Sequence, residues 1–280
     1  MPRTTLTLTV LLATAFPCAA VTMTLAQSSS TTTASSEGAL PDAVAAVKRA
    51  KELMGGDAWD KIRSFESSAS IKSAMGDARV EFRFVAPDAF ELIQSMPGGG
   101  RTMTMGSANR VAWIGEPGRE RAADPRMTSE MRDGGDLQVL VRTVSERFTG
   151  FRTVSRAEDG GRTVLRIEMR PKQAPPDAPV WTLLVDATTG MVHGVEIPAP
   201  PAPPSQVEGA QKTFGQSIRV RRWEPATAPA DAARTAPLLA FREATVESGG
   251  TKTDIVYDRI AVDGLAAGAV KVPAAAAARK

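Results

Sequence analysis

The chain has 280 residues, of which 42% are hydrophobic, 23% charged and 5% aromatic. It contains one histidine and one cysteine, which excludes a His-rich metal site, a Cys-based zinc site, a CxxC redox pair and an intramolecular disulfide. The 34 basic and 31 acidic residues give a formal net charge of +3, which is too near balance to predict nucleic acid as a partner.

Residues 1–26 have the pattern of an export signal. Arg3 is their one charge, an apolar stretch follows, and small residues lead up to Ala26. Pro17 interrupts the apolar stretch, which favours a cleaved signal peptide over a retained membrane span. We therefore expect a periplasmic protein with no transmembrane segment after signal cleavage.

Cys18 raises the question of lipidation, because a lipoprotein signal places its acylated cysteine after small residues. Phe16 and Pro17 precede it here, so we interpret Cys18 as part of the discarded signal. The Ser/Thr-rich residues 27–40 that follow show no apolar periodicity and predict a flexible tether.

The first predicted folded element is a helix from Asp42 to Met54. Val47 and Met54 recur at helical spacing, Pro41 precedes the first turn, and two glycines follow the last one. Residues 57–62 predict a further short helical turn with Asp57 as its cap.

From Ser64 the hydrophobic period changes to two, which predicts strands with one buried and one solvated face. Turn-forming residues separate the strands about every ten residues, which favours an antiparallel meander over βαβ units. The apolar residues of these strands include Phe65, Ala69, Ile71, Val80, Phe82, Phe84, Phe90, Leu92, Met96, Met103, Met105, Val111 and Trp113.

An amphipathic pattern over residues 136–148 predicts a second helix, inserted between two series of strands. The later strands are predicted at 151–157, 163–169, 180–185, 191–197, 213–223, 238–246 and 252–262. Residues 198–204 are rich in proline and predict an exposed loop. We interpret residues 41–273 as one domain and residues 274–280 as a disordered tail.

The sequence contains no residue pattern typical of a catalytic, metal-binding or phosphate-binding site. His193 lies in a predicted strand, no GxSxG motif is present, and no glycine cluster has the spacing of a phosphate-binding loop. Carboxylate pairs such as Asp57 and Asp60 have no distinguishing pattern. We predict no catalytic residue, no metal ligand and no cofactor, and therefore no enzymatic activity.

Arg219, Arg221 and Trp223 would share one face of a strand, beside Arg222. Such a strand face is typically a solvated surface. The alternative is a basic and aromatic rim that attracts anionic lipid headgroups.

Methionine and phenylalanine side chains are concentrated on neighbouring predicted strands, and the predicted second helix adds an apolar face. They fill the core beneath a sheet or line a cavity for a hydrophobic ligand such as a lipid or acyl chain. The candidate ligand-binding residues are Phe82, Phe84, Phe90, Met96, Met103, Met105, Trp113, Leu140 and Val144.

The order of several short motifs resembles the LolA/LolB-like superfamily of bacterial periplasmic lipoprotein carriers and their uncharacterised relatives. The motifs are Leu53-Met54-Gly55-Gly56, Ala58-Trp59-Asp60-Lys61-Ile62-Arg63-Ser64, Phe84-Val85-Ala86-Pro87-Asp88-Ala89-Phe90, Arg110-Val111-Ala112-Trp113, Tyr257-Asp258-Arg259-Ile260 and Val270-Lys271-Val272-Pro273. The resemblance spans about 42–273. It implies a mainly β fold with α, an unclosed antiparallel β-barrel whose concave apolar face is covered by helices.

The resemblance also implies a function: sheltering acyl chains, or the lipid anchor of a lipoprotein, in the periplasm. The insertions at 198–204 and 224–237 depart from the compact carriers, so binding of a general hydrophobic ligand is the prediction. The alternative is an envelope sensor or protein-interaction module on the same fold, with an envelope protein partner bound at the sheet edge or the proline-rich loop. A third hypothesis, a carboxylate-dependent hydrolase, has no supporting motif.

Overall fold

The computed structural model describes residues 40–74, 76–95, 100–124, 143–172, 178–199, 215–229 and 237–277. Within these ranges the helices are α1 (Ala43–Leu53), a 3₁₀ helix (Gly56–Lys61), α2 (Val144–Arg147) and α3 (Ala274–Ala277). None of the helices in these ranges is long and apolar enough to cross a membrane.

The described residues form thirteen strands. They are β1 (Ser64–Ser73), β2 (Gly76–Val85), β3 (Ala89–Ser95), β4 (Thr102–Ala108), β5 (Val111–Gly115), β6 (Arg121–Ala122), β7 (Phe148–Asp159), β8 (Arg162–Pro171), β9 (Trp181–Asp186), β10 (Val192–Ile197), β11 (Gln216–Pro225), β12 (Leu239–Ser248) and β13 (Thr251–Val262).

All thirteen strands belong to one antiparallel sheet. Its order is β6-β5-β4-β3-β2-β1-β13-β12-β11-β10-β9-β8-β7, so the first strand lies beside the last, near the middle. The edges are β6 and β7, which are not paired with each other in the described part of the chain. The fold is therefore mainly β with few helices, an unclosed antiparallel barrel, which confirms the fold that the family resemblance implies.

Alternation along the strands produces two different faces. On β1, Phe65, Ala69 and Ile71 point to the main hydrophobic core, which every strand from β1 to β5 and from β7 to β13 joins. We call this face, which α1 covers, the inner face, and the opposite one the outer face.

Helix α1 closes part of the inner face. Oδ1 of Asp42 accepts hydrogen bonds from the backbone N–H groups of Val44 (2.7 Å) and Ala45 (3.1 Å), which caps its first turn. Its buried side turns Ala43, Val47 and Ala50 to the core, and the helix packs against β7, β9 and α2.

The outer face is largely a network of ion pairs between neighbouring strands. Arg83 on β2, for example, lies 3.6 Å from a carboxylate oxygen of Glu66 on β1 and 3.2 Å from one of Glu91 on β3. Pairs this exposed add little stability, but they keep the face solvated and leave the apolar side chains to the inner face.

Two predicted segments differ from the structure. The helix predicted over 136–148 extends one residue too far, because Phe148 is the first residue of β7, where it pairs with Pro171. Among the described residues of that segment, Val144–Arg147 is helical, and residues 136–142 lie outside the described ranges.

The tail predicted from residue 274 begins with an ordered turn. Ala274–Ala277 is helix α3, and Ala276 is buried to 1% exposure against the outer face. Residues 278–280, the predicted signal peptide, most of the tether and most of the proline-rich loop lie outside the described ranges.

Candidate functional site

The inner face brings several predicted ligand-binding residues together. Phe82 and Phe90 stack with ring centroids 6.3 Å apart, and Phe65 lies 6.2 Å from Phe82. Met105 is buried in the same core, on β4. The three predicted residues Phe82, Phe90 and Met105 are thus parts of one continuous apolar surface.

Other predicted residues lie at the margin of this surface. Phe84 is half-buried and packs against the core, and Met103 is half-buried on β4, opposite Gln94 of β3. Val144 of α2 is buried in the core. Met96 and Leu140 lie outside the described residues.

Trp113 lies on the other side of the sheet. It pairs with Gly106 of β4, and its fully buried ring belongs to a separate cluster with Val85 and Ala108. A Cβ atom at position 106 would lie only 2.3 Å from Cζ2 of Trp113, so the glycine is what allows the ring to rest on the sheet. The structure therefore separates Trp113 from the inner-face residues.

A pocket opens on the inner face where α1 meets α2. The space inside it that a water-sized sphere can reach is about 10 Å³, roughly enough for one water molecule. This is far below the range of roughly 300–1,000 Å³ that holds drug-sized ligands. Its lining is Val47, Ala50, Lys51, Met54, Val144, Ser145, Leu183 and Val192.

Of these lining residues the sequence predicts only Val144 as a ligand contact. Val47 and Met54 are recognisable as the apolar side of a helix, and Leu183 and Val192 as strand residues. Their convergence depends on α1 lying across β9 and β10, which a pattern along the chain does not encode.

Lys51 closes the rim of this pocket. Its ammonium nitrogen lies 2.5 Å from Oε1 of Glu146 on α2, 3.2 Å from Oδ1 of Asp57 and 3.5 Å from Oδ2 of Asp60. The ion pair with Glu146 joins α1 to α2, while the other two join α1 to the 3₁₀ helix.

These contacts set the charges at the rim. The hydrogen bond to Glu146 raises the pKa of Lys51 above its ordinary value, against the effect of burial. Burial raises the pKa of Glu146, but the hydrogen bonds from Lys51 and Ser145 outweigh it, so the pKa lies below its ordinary value. The pair is charged at neutral pH.

Strand β11 does not form the basic and aromatic rim that the sequence analysis gives as an alternative. Arg219 binds Asp159 (2.6 Å) and Glu196 (2.7 Å), and Arg221 binds Asp254 (3.1 Å). The arginines of this strand thus already have carboxylate partners, which favours the solvated ion-paired surface over a lipid-headgroup site.

Trp223 is also turned away from that face. The register between β11 and β12 shifts on both sides of Arg222, which is a β-bulge, and a bulge reverses the alternation beyond it. Trp223 therefore packs against the main core and contacts Phe241 edge-on, with its indole N–H donating to the carbonyl of Val192 (3.2 Å). The prediction that it shares a face with Arg219 and Arg221 is wrong.

His193 lies on the outer side of β10, buried to 7% exposure. Its Nε2 is 3.9 Å from Oδ2 of Asp159, and its Nδ1 has no hydrogen-bond partner among the described residues. Burial lowers the pKa of His193. Arg162 and Arg219 lower it further, while Asp159 and Asp186 oppose them. No hydroxyl or thiol nucleophile is hydrogen-bonded to it in the described part of the chain.

No three His, Cys, Asp or Glu side chains in the described ranges are grouped so that they could hold a metal ion. Among these residues the inner face and the pocket at the α1–α2 contact are the arrangement best suited to hold a ligand, and it suits an apolar one.

No protein-family model matches the sequence, and no curated protein matches it either. Among solved structures, a LolA superfamily protein from Nitrosomonas europaea is similar with a TM-score of 0.48 at 10% identity, over 82% of this chain and 97% of that one. A DUF1329 family protein from Desulfovibrio piger is similar with a TM-score of 0.49 at 13% identity, over 82% of this chain and 98% of that one.

One of these similar structures is thus a member of the LolA superfamily, which the sequence also resembles. The TM-scores of these two structures are below 0.5, so no functional argument follows from these likenesses. The function is argued below from the residues of this chain.

Proposed function

We propose that this protein is an exported, non-catalytic carrier that binds a lipid, a lipoprotein anchor or another hydrophobic ligand in the bacterial cell envelope. The observation that carries the proposal is the pocket between α1 and the sheet, lined by Val47, Ala50, Met54, Val144, Leu183 and Val192 and continuous with the inner-face core. Burying an acyl chain there contributes about 0.8 kcal/mol per CH₂, so binding needs no reactive group.

The pocket is too small for a whole acyl chain, so binding requires α1 to move away from the strands. The helix is suited to this because its contact with α2 includes one exposed ion pair, Lys51–Glu146, rather than a fully buried seam. Phe82, Phe84, Phe90, Met103 and Met105 would then line the deeper part of the site. Trp113 would contact a ligand only if the sheet itself rearranged.

The test measures bound lipid and its displacement. Full-length protein purified from a bacterial envelope is extracted and analysed by mass spectrometry, and binding of a fluorescent fatty-acid probe is titrated. We expect co-purified lipid and saturable binding. Ala50→Met, which fills the pocket, should weaken probe binding at least about tenfold, the effect of roughly 1.4 kcal/mol.

The matched control is Ala45→Met, on the solvated side of the same helix. It adds the same side chain at a position that does not face the pocket, so probe affinity should stay unchanged. An empty purified chain that binds no probe would refute the proposal, and equal effects of the two substitutions would place the site elsewhere.

An interaction module is the second candidate. Strand β7 is a twelve-residue edge strand, paired on one side only in the described part of the chain. An exposed edge presents unpaired backbone groups to which a partner strand can add. Specific binding of an envelope protein that is lost on substituting Thr153 by proline, with lipid binding absent, would favour this candidate.

A further inference from the structure

A second apolar cluster lies on the outer face, away from the proposed ligand site. Val85, Ala108 and Trp113 contribute to it from β2, β4 and β5. The other side of the cluster comes from the segment after β13, residues 264–277, which we call the strap. Val270 and Ala276 of the strap are buried to 4% and 1% exposure.

The strap is attached firmly only at its beginning. Oδ1 of Asp263 accepts hydrogen bonds from the N–H groups of Arg63 (2.6 Å) and Ser64 (3.2 Å), and the N–H of Leu265 donates to Oγ of Ser64 (3.0 Å). These bonds join the start of the strap to β1 and to the residue before it.

Beyond Leu265 the hydrogen bonds of the strap are internal. Ala269 donates to Ala266 (3.1 Å), and Ala276 and Ala277 both donate to Pro273 (3.0 Å). Among the described residues none of 266–277 is hydrogen-bonded to the sheet. The outer part of the strap is therefore held by apolar side chains alone, and such segments open at lower free energy than the sheet they cover.

The surface beneath the strap contains a buried hydrogen-bond donor without an acceptor among the described residues. The Trp113 ring is fixed against Gly106, and its buried indole N–H has no acceptor among the described residues. A buried donor without an acceptor destabilises the state that contains it. The strap covers Trp113 without supplying the carbonyl group that the indole lacks.

We propose that the outer-face groove at Trp113 is a peptide-binding site, and that the strap is its displaceable intramolecular occupant. The strap itself defines the chemistry of the partner. The part that contacts the cluster has aliphatic side chains two residues apart, Val270 and Val272, followed by proline and the small-residue turn that contains Ala276. Lys271, between the two valines, is exposed.

The strap competes with the partner because it is part of the same chain. A tethered segment acts at an effective concentration in the millimolar range, so a separate peptide binds weakly until the strap is released. The groove is thus masked in the isolated protein. It lies on the opposite face from α1, so its occupation does not depend on the proposed lipid site.

The test uses the full chain with Val270→Asp and Ala276→Asp, because burying the two carboxylates is unfavourable and should detach the strap. A synthetic peptide with the sequence of residues 264–280 is titrated by calorimetry. We expect it to bind the detached chain at least about 100-fold more tightly than the unaltered chain. A peptide carrying the same two aspartates is the matched control and should not bind.

Adding Ala108→Asp to the detached chain places a charge in the groove and should abolish peptide binding. Equal binding to the detached and unaltered chains, or no binding to a folded detached chain, would overturn the proposal. Concentration-dependent dimers of the unaltered chain that Ala108→Asp abolishes would assign the groove to a second copy and overturn the assignment to a separate partner.

A second measurement does not depend on the double variant folding. Lys271 is exposed, but its neighbours Val270 and Val272 are packed against the cluster, so we expect trypsin to cleave after Lys271 only when the strap detaches. We expect cleavage there at urea concentrations at which the circular dichroism of the sheet is unchanged. Cleavage that follows global unfolding would show that the strap is an integral part of the sheet, which would overturn the proposal.

Discussion

His193 is the one histidine of the chain, so any imidazole titration belongs to it. Its surroundings combine burial, two nearby arginines and a carboxylate at 3.9 Å, and the balance lowers its pKa. The folded protein therefore favours the neutral imidazole, whereas in the unfolded chain the pKa of His193 has its ordinary value of about 6.5.

This difference in pKa predicts that acid lowers the stability of the folded protein. The unfolded state binds the proton first, so the free energy of unfolding falls as the pH drops from about 7 toward 5. Urea unfolding at several pH values checks this, and His193→Gln should remove the slope in that window. Glu146, Glu196 and Asp186 also have lowered pKa values, so their contributions are lost progressively from the ordinary carboxyl pKa downward, below the window of His193. An identical slope in the variant would contradict the prediction.

Gly106 is a second residue whose identity is set by a neighbour. An added Cβ would lie 2.3 Å from Trp113 and 2.4 Å from the carbonyl oxygen of Phe90, so the ring or the strand must move. We expect Gly106→Ala to lower the free energy of unfolding by about 1–3 kcal/mol, the usual effect of overpacking. Chemical denaturation followed by circular dichroism measures it.

Gly264→Ala is the control for this substitution, because a Cβ there meets no atom within 4 Å. Its effect on the free energy of unfolding should stay below about 1 kcal/mol in either direction, since alanine also restricts the unfolded chain. If both substitutions had the same effect, the close approach of Trp113 to the strand would not be what requires glycine.

At the scale of elements, α1 joins the inner face through two kinds of contact. Ala43, Val47 and Ala50 are buried against the strands, and Lys51 binds three carboxylates at the exposed edge. The apolar contacts position the helix, while the charged ones hold its last turn against α2 and the 3₁₀ helix.

Lys51→Met keeps the apolar stem and removes the charge, leaving three carboxylates near one another. We expect the free energy of unfolding to fall by about 0.5–1 kcal/mol, the upper range for partly exposed ion pairs, and amide exchange in α1 to accelerate. The difference should shrink in about 1 M salt, where screening acts over roughly 3 Å.

Lys48→Met is the matched control, since Lys48 lies on the exposed side of the same helix and has no ion pair among the described residues. Its effect should stay within about 0.5 kcal/mol. Equal effects at the two positions would mean that the α1–α2 contact does not depend on the Lys51 ion pairs.

The helices and strands that the sequence predicts correctly are those with a local hydrophobic period. The spacing of Val47 and Met54 predicts α1, and alternation predicts nearly every strand, but β6 is only two residues long and has no pattern of its own. Alternation along the strands predicts which face of the sheet each side chain occupies. It gives the wrong face for Trp113 because both faces are apolar there, and for Trp223 because a bulge precedes it. The pocket brings together α1, α2, β9 and β10, so it depends on packing between distant segments.

At the scale of the whole molecule, the antiparallel arrangement follows from the strand spacing of about ten residues, whereas the unclosed barrel is implied only by the family resemblance. The order of strands in the sheet does not follow in the same way. A meander predicts that neighbours in sequence pair, which holds from β1 to β6 and from β7 to β13. The pairing of β1 with β13 joins segments at opposite ends of the chain, and no local pattern in either strand encodes it.

That pairing has a consequence for how the protein is made. Phe65 lies opposite Val262, and the backbone N–H of Arg63 binds Asp263, 200 residues later. Each series of hairpins forms from local contacts, but the two series are joined only after the last strand has been synthesised. Closing so long a loop is slow, and until then β1 and β13 both have unpaired edges. We therefore expect the newly made chain to pass through a stage in which each half has a strand edge to which another chain can add.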